Sequence, residues 1–194
     1  MRVAVLGLGP SLKDYKESSN YDVVIGVNDI EKYNITVDYL LVLDPPENFT
    51  KDRLSTIKNS KPRKNLVTFN TSYYDEFNPI KLQNPTEMLL PYAIKSDIQS
   101  NTIDNANIFP TSKTSTFVGI VFAFRLGATY IKVYGMDLIG HKHISLGNNA
   151  YKLLLIASEW LLGQFKRLRE NGVDITFEWT KDSFYDRHFK EETT

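Results

Sequence analysis

The chain of 194 residues contains no cysteine, which excludes disulfides and thiolate chemistry and leaves the compartment open on that ground. It has no excess of either charge: lysine plus arginine number 23, and so do aspartate plus glutamate. No global field therefore draws it to nucleic acid or to an anionic membrane. No run approaches the roughly 18 consecutive apolar residues of a membrane span, and the N-terminus lacks an apolar core of signal length. Together these absences predict a soluble, cytoplasmic protein with no nucleic-acid partner and no membrane span. Histidine is scarce, with three residues, so imidazole bases are few. Aromatic residues are not: eleven Tyr and eleven Phe argue for a packed globular chain.

This length suits a single domain over residues 1–194, large enough for a core without staples. Its strongest local signal is the start, Met1-Arg-Val-Ala-Val-Leu-Gly-Leu-Gly-Pro-Ser-Leu12. A short apolar run suits a strand covered on both faces. Gly7 and Gly9 then allow a tight turn and a close approach of backbone to ligand. Pro10, Ser11 and, three residues on, Asp14 predict a capped helix entrance. Strand, glycine turn and helix N-terminus form a phosphate-binding arrangement, with the Gly9–Ser11 amides as donors. The full dinucleotide fingerprint needs a third glycine where Leu12 stands, and no Gly-Lys-Ser/Thr follows, so a mononucleotide or nucleotide-activated group fits better than NAD. A plain strand-to-helix turn is the alternative.

Further β-branched runs recur at Val23–Val27, Tyr39–Leu43, Leu66–Phe69, Ile131–Tyr134 and Val173–Phe177. Helices are expected at about Ser115–Leu126 and Asn148–Asn171. The second is apolar nearly all round in its first half, around Trp160, which predicts a core helix or a homo-oligomer interface. Buried strands alternating with helices predict an α/β, Rossmann-like domain: a mostly parallel sheet with helices on both faces. Residues 51–110, polar and weakly periodic with five prolines, read as an irregular insertion or lid.

In such sheets ligands sit beyond the carboxyl ends of the strands, so strand ends nominate site residues. Asn28 and Asp29 follow the second run, where a ribose or base contact is expected, although both residue types also start turns. Asp44 precedes Pro45-Pro46, a carboxylate held on a stiff turn. Thr111-Ser-Lys-Thr-Ser-Thr116 supplies capping hydroxyls at a helix start, with Thr114, Ser115 and Thr116 nearest the helix. Asp137 is followed by Leu138-Ile-Gly-His-Lys-His143, so His141 or His143 could act as general base near a carboxylate. A solvated loop is the alternative there. This ligand inventory does not suit zinc, and no metal site is expected from it.

Val5-Leu-Gly-Leu-Gly-Pro-Ser-Leu12, Asp38–Asp44 and Leu126–Leu138 together resemble two families. One is the archaeal 6-hydroxymethylpterin diphosphokinase-like group of Rossmann enzymes. The other is the bacterial CMP-sialic acid sialyltransferases, with a Gly-Pro-Ser-Leu opening, a strand ending in Asn and a Ser/Thr-rich helix start before a Gly-x-Asp strand end. The sialyltransferase resemblance implies a nucleotide held by Gly7, Gly9, Pro10, Ser11 and Asn28, with Thr114–Thr116 near its phosphate or ribose. The diphosphokinase resemblance implies Asp44 and Asp137 holding Mg²⁺ beside ATP. The resulting expectation is a nucleotide-dependent transferase, foremost a glycosyltransferase taking a CMP-activated sugar to a small-molecule or glycan acceptor. A hydroxymethylpterin-type diphosphokinase and a non-catalytic nucleotide-binding protein are the alternatives.

Overall fold

A computed structural model of the chain describes residues 1–17, 19–82, 115–137 and 161–181. These residues build one sheet of seven strands: β1 (Arg2–Leu6), β2 (Val23–Val27), β3 (Tyr39–Leu41), β4 (Asn65–Thr68), β5 (Ile80–Lys81), β6 (Tyr130–Tyr134) and β7 (Asp174–Phe177). Their spatial order is β5-β4-β3-β2-β1-β6-β7, and every neighbouring pair is parallel. The expected α/β, Rossmann-like class is what the chain adopts. The order reverses at β1, whose partners are β2 on one side and β6 on the other. The carboxyl ends of β1 and β6 therefore form the switch point where sheets of this kind open a crevice.

The period-two alternation of strand side chains fills two cores. Val3, Val5, Val23, Ile25, Leu41, Ile131 and Val133 face one side, with Phe117, Val121, Leu161, Phe165 and Leu168. Ala4, Leu6, Val24, Leu40, Leu66 and Tyr134 face the other, with Leu12, Ile30, Ile57 and Tyr74. The first core is covered by α2 (Ser115–Arg125) and by a third helix, α3, over residues 161–170. The second is covered by short 3₁₀ turns and by α1 (Lys51–Asn59). A side chain at Gly119 would stand 3.0 Å from Val5 Cγ1 and within 3.7 Å of Ile25 and Leu41. The missing Cβ thus lets α2 lie directly across β1, β2 and β3.

The local structure departs from the sequence expectations in places and meets them in others. Pro10–Asp14 is a single 3₁₀ turn with no side-chain cap, ending at Tyr15, because the Ser11 hydroxyl is drawn into a long-range bond instead of capping. Residues 51–82, read as part of an irregular insertion, hold α1 and β5 beside β4, which falls on the expected Leu66–Phe69 run, and they complete one side of the sheet; residues 83–110 lie outside the described set. β5 has only two residues, both exposed, so it carries no hydrophobic pattern. Of the long helix expected at 148–171, residues 161–170 are helical with Leu161, Phe165 and Leu168 buried; residues 148–160, with Trp160, lie outside the described set.

Candidate functional site

The loop after β1 and the loop after β6 are bound to one another. Gly7 N donates to Tyr134 O and Gly9 N to Gly135 O, both at 2.8 Å. The approach is closer than any side chain permits: a Cβ on Gly7 would meet the Gly135 carbonyl, and one on Gly9 would lie 2.6 Å from Asp137 Oδ2. Gly135 sits at φ +69° and faces the Gly7 carbonyl in return. The glycines are therefore required by protein packing, loop against loop. The turn after β1 had suggested ligand contact as their purpose.

Asp137 closes this contact. It is fully buried. Its Oδ2 accepts the Ser11 amide at 2.8 Å and the Ser11 hydroxyl at 2.7 Å, while Oδ1 accepts the Thr180 amide at 2.8 Å. Ser11 Oγ in turn accepts the Gly135 amide at 2.8 Å. One carboxylate thus ties the segments following β1, β6 and β7 into a single unit. Buried charge is tolerated here because each oxygen is satisfied by donors.

Two site expectations meet a physical obstacle here. The amides of Gly9, Ser11 and Leu12 are donated to Gly135, Asp137 and Gly9 respectively, and Pro10 has none, so this stretch has no free donor to offer a phosphate. Among the described residues, only the Leu8 amide in the loop has no acceptor. Asp137 as metal ligand or catalytic carboxylate fares no better, since both oxygens point into the clamp. It does not fit the Mg²⁺ role that the diphosphokinase resemblance implies. Asp44 has an exposed carboxylate and contributes to the structure through its carbonyl, which accepts the Tyr74 hydroxyl at 3.0 Å. No group of three potential metal ligands occurs among the described residues.

What the crevice does offer comes from its flanks. The first turn of α2 abuts the glycine loop: Thr116 Oγ1 would lie 2.7 Å from a Cβ on Gly7. The first turn of α2, the positive end of its dipole, therefore lies at the carboxyl ends of β1 and β6. Ser115 and Thr116 belong to that turn; Thr114 lies outside the described residues, as do His141 and His143. On the other flank Leu6 pairs in register with Gly26, which sets Asn28 level with Leu8. Asn28 adopts a left-handed φ of +51°, and its amide donates to Leu41 O at 2.8 Å. Its side-chain Oδ1 is buried with no donor among the described residues, a costly state unless a ligand supplies one.

Asp29 turns the other way. Its buried Oδ1 accepts Arg53 Nε at 2.9 Å and pairs with the second guanidinium nitrogen at 2.7 Å, and Lys32 Nζ stands 2.8 Å from Oδ2. Burial alone would raise the Asp29 pKa, but the hydrogen bonds and charges of Arg53 and Lys32 outweigh it and hold the carboxyl below its ordinary range. Arg53, from α1, carries no signal in the sequence. Nothing in Lys51-Asp-Arg-Leu54 marks it, because its partner is 24 positions away.

The fold is that of known enzymes. The sialyltransferase CST-II, solved with a trisaccharide acceptor and CMP, superposes with a TM-score of 0.56 at 17% identity, over 96% of this chain and 84% of that one. CstII from Campylobacter jejuni, in complex with the substrate analogue CMP-3FNeuAc, gives 0.54 at 16% identity, over 96% and 83%. An α-2,3-sialyltransferase from Campylobacter jejuni in apo form gives 0.51 at 20% identity, over 97% and 78%. No family model and no curated protein sequence matches the chain. Of the two resemblances drawn from sequence, the likeness of fold falls on the sialyltransferases; nothing in the comparisons supports the diphosphokinase.

Proposed function

We propose that the chain is a glycosyltransferase that takes a sugar from a CMP-activated donor to a hydroxyl of a small-molecule or glycan acceptor. The observation that carries this reading is Asn28. A buried acceptor oxygen at the end of β2, without a donor among the described residues, asks for an N–H or O–H group, and the amino group of cytosine or a ribose hydroxyl supplies one. The phosphate then falls to the first turn of α2, where the positive end of the helix dipole, Ser115 and Thr116 stabilise the charge that develops as CMP departs. This differs from a phosphate bound by the Gly9–Ser11 amides, which the protein uses internally. The glycine loop and Asp137 serve as a rigid floor that holds the helix turn and the β2 corner in fixed positions.

Transfer is direct displacement at the anomeric carbon: the acceptor oxygen forms a bond as the bond to the phosphate oxygen breaks. A base removes the acceptor proton, and His141 or His143 is proposed for that role. The neighbouring folds include proteins solved with CMP and with CMP-3FNeuAc, which supports CMP as the nucleotide.

The test is a thermal-shift panel of CMP, CDP, UDP, GDP, ADP, ATP and NAD, each with and without Mg²⁺, followed by a transfer assay with a CMP-sugar. A ligand at a hundredfold its dissociation constant stabilises by about 2.7 kcal/mol. CMP should stand out without Mg²⁺. Stabilisation by ATP only with Mg²⁺ would overturn the reading, and CMP binding without any turnover would leave a nucleotide-binding protein that is not an enzyme.

A further inference from the structure

Asn enters the left-handed region more readily than other non-glycine residues, so the bonds around a corner decide whether it is kept there. Asn28 is anchored on one side by its amide bond to Leu41 O. On the other, Asp29 is buried beneath a guanidinium that arrives from a different element, α1, and meets the same oxygen through two nitrogens. Arg53 is itself fixed, its guanidinium lying 5.1 Å from the Phe49 ring centroid. Phe49 belongs to the crossover that follows Asp44. Lys32, the other cation on Asp29, is three residues along the same turn, so it neutralises charge without joining separate elements.

We infer that Arg53 is a positioning residue for the nucleotide: by locking Asp29 to α1 it sets the left-handed turn that aims Asn28 Oδ1 into the crevice. It rests on the reading of that crevice as the nucleotide site. Arg53 touches no ligand in this scheme and acts only through Asp29. The segments after β2 and β3 become a single preformed wall, so less ordering is needed when nucleotide binds. The pair also predicts an asymmetry between the two cations, since only one of them crosses between elements.

Full-length R53Q, R53K and K32Q are compared with wild type in two ways: hydrogen exchange of the Asn28 amide without ligand, and CMP affinity by calorimetry. R53Q should speed Asn28 exchange and weaken CMP binding by about tenfold, corresponding to about 1.4 kcal/mol. R53K should recover part of both, and K32Q should stay close to wild type in both. Equal effects of R53Q and K32Q would show charge balance rather than positioning and overturn the inference, as would R53Q with unchanged exchange and affinity. If R53Q does not fold, R53K is read against K32Q by the same criterion. If wild type binds no CMP, the functional reading fails, while the exchange comparison still decides whether Arg53 sets the corner.

Discussion

Ser11 and Asp137 are 126 positions apart in the chain and share one oxygen: Asp137 Oδ2 accepts both the amide and the hydroxyl of Ser11, at 2.8 and 2.7 Å. The bond pair spans the switch point of the sheet, joining the segment after β1 to the segment after β6. A carboxylate at a strand end invites a catalytic interpretation. Here the geometry assigns it to architecture.

Asp137→Ala should therefore lower stability before it affects chemistry. Three donors lose a buried acceptor, and each buried group left unpaired costs about 1–3 kcal/mol. Urea denaturation should show the midpoint moving to lower urea and the unfolding free energy falling by about 3 kcal/mol or more, with Asp137→Asn milder. Unchanged stability together with lost transfer would return Asp137 to a chemical role.

Gly9→Val should give a protein that folds poorly, not a folded protein that fails to bind. The added carbons occupy space 2.6 Å from Asp137 Oδ2 and 2.8 Å from Gly135 O, and both neighbours are held by the clamp. Circular dichroism and size-exclusion chromatography of the purified variant decide between these outcomes.

Asn28→Gly separates binding from folding. Glycine is at ease at φ +51°, so the melting temperature should hold or rise. The lost acceptor oxygen should weaken CMP binding by about tenfold. Retained affinity would remove Asn28 from the nucleotide site.

Asp29 makes the protein acid-sensitive in a defined window. Its carboxyl is held below the ordinary value of 3.8, so the stability it contributes is fully present above that value and disappears as pH falls through the lower folded-state value. Thermal melts between about pH 5 and pH 2 should show wild type losing more stability than Asp29→Asn. Parallel curves for the two proteins would contradict the ion cluster.

Transfer should depend on an imidazole. The rate is expected to rise as pH passes about 6–7 and the histidine deprotonates. The His141→Ala, His143→Ala double variant should lose 10²–10⁴-fold in turnover, a rough range, with nucleotide affinity retained. Full activity in that variant would place the base elsewhere, with the exposed Asp44 the next group to test.

The strands were legible because their apolar runs are dense and bounded by glycine, proline or polar residues; Val3–Leu6 and Val23–Val27 needed no further signal. The glycines at 7 and 9 were legible as positions but not as causes. Sequence shows that a side chain is missing, and only the fold shows that the Gly135 carbonyl and Asp137 fill the space. Ser11 and Asp14 matched a capping pattern, yet a bond to a residue 126 positions away outcompeted the local cap. α1 was missed because its interior side carries little apolar surface, chiefly Ile57, which is fully buried, leaving no strong helical stripe. Arg53 was invisible for the reason that any cross-element ion pair is: neither partner is marked by its neighbours in sequence.

The position of β1 inside the sheet, between β2 and β6, also governs how the molecule must assemble. β1 can pair with β2 as soon as some 27 residues exist, but its other edge waits for β6, whose pairing runs from Tyr130 to Tyr134. Until then β1 exposes an unpaired backbone edge, and joining it to β6 closes a loop of more than a hundred residues, a slow step for a chain dominated by distant contacts. A nascent chain halted before Tyr134 carries an open, apolar, parallel-pairing edge and is the species from which aggregation should begin.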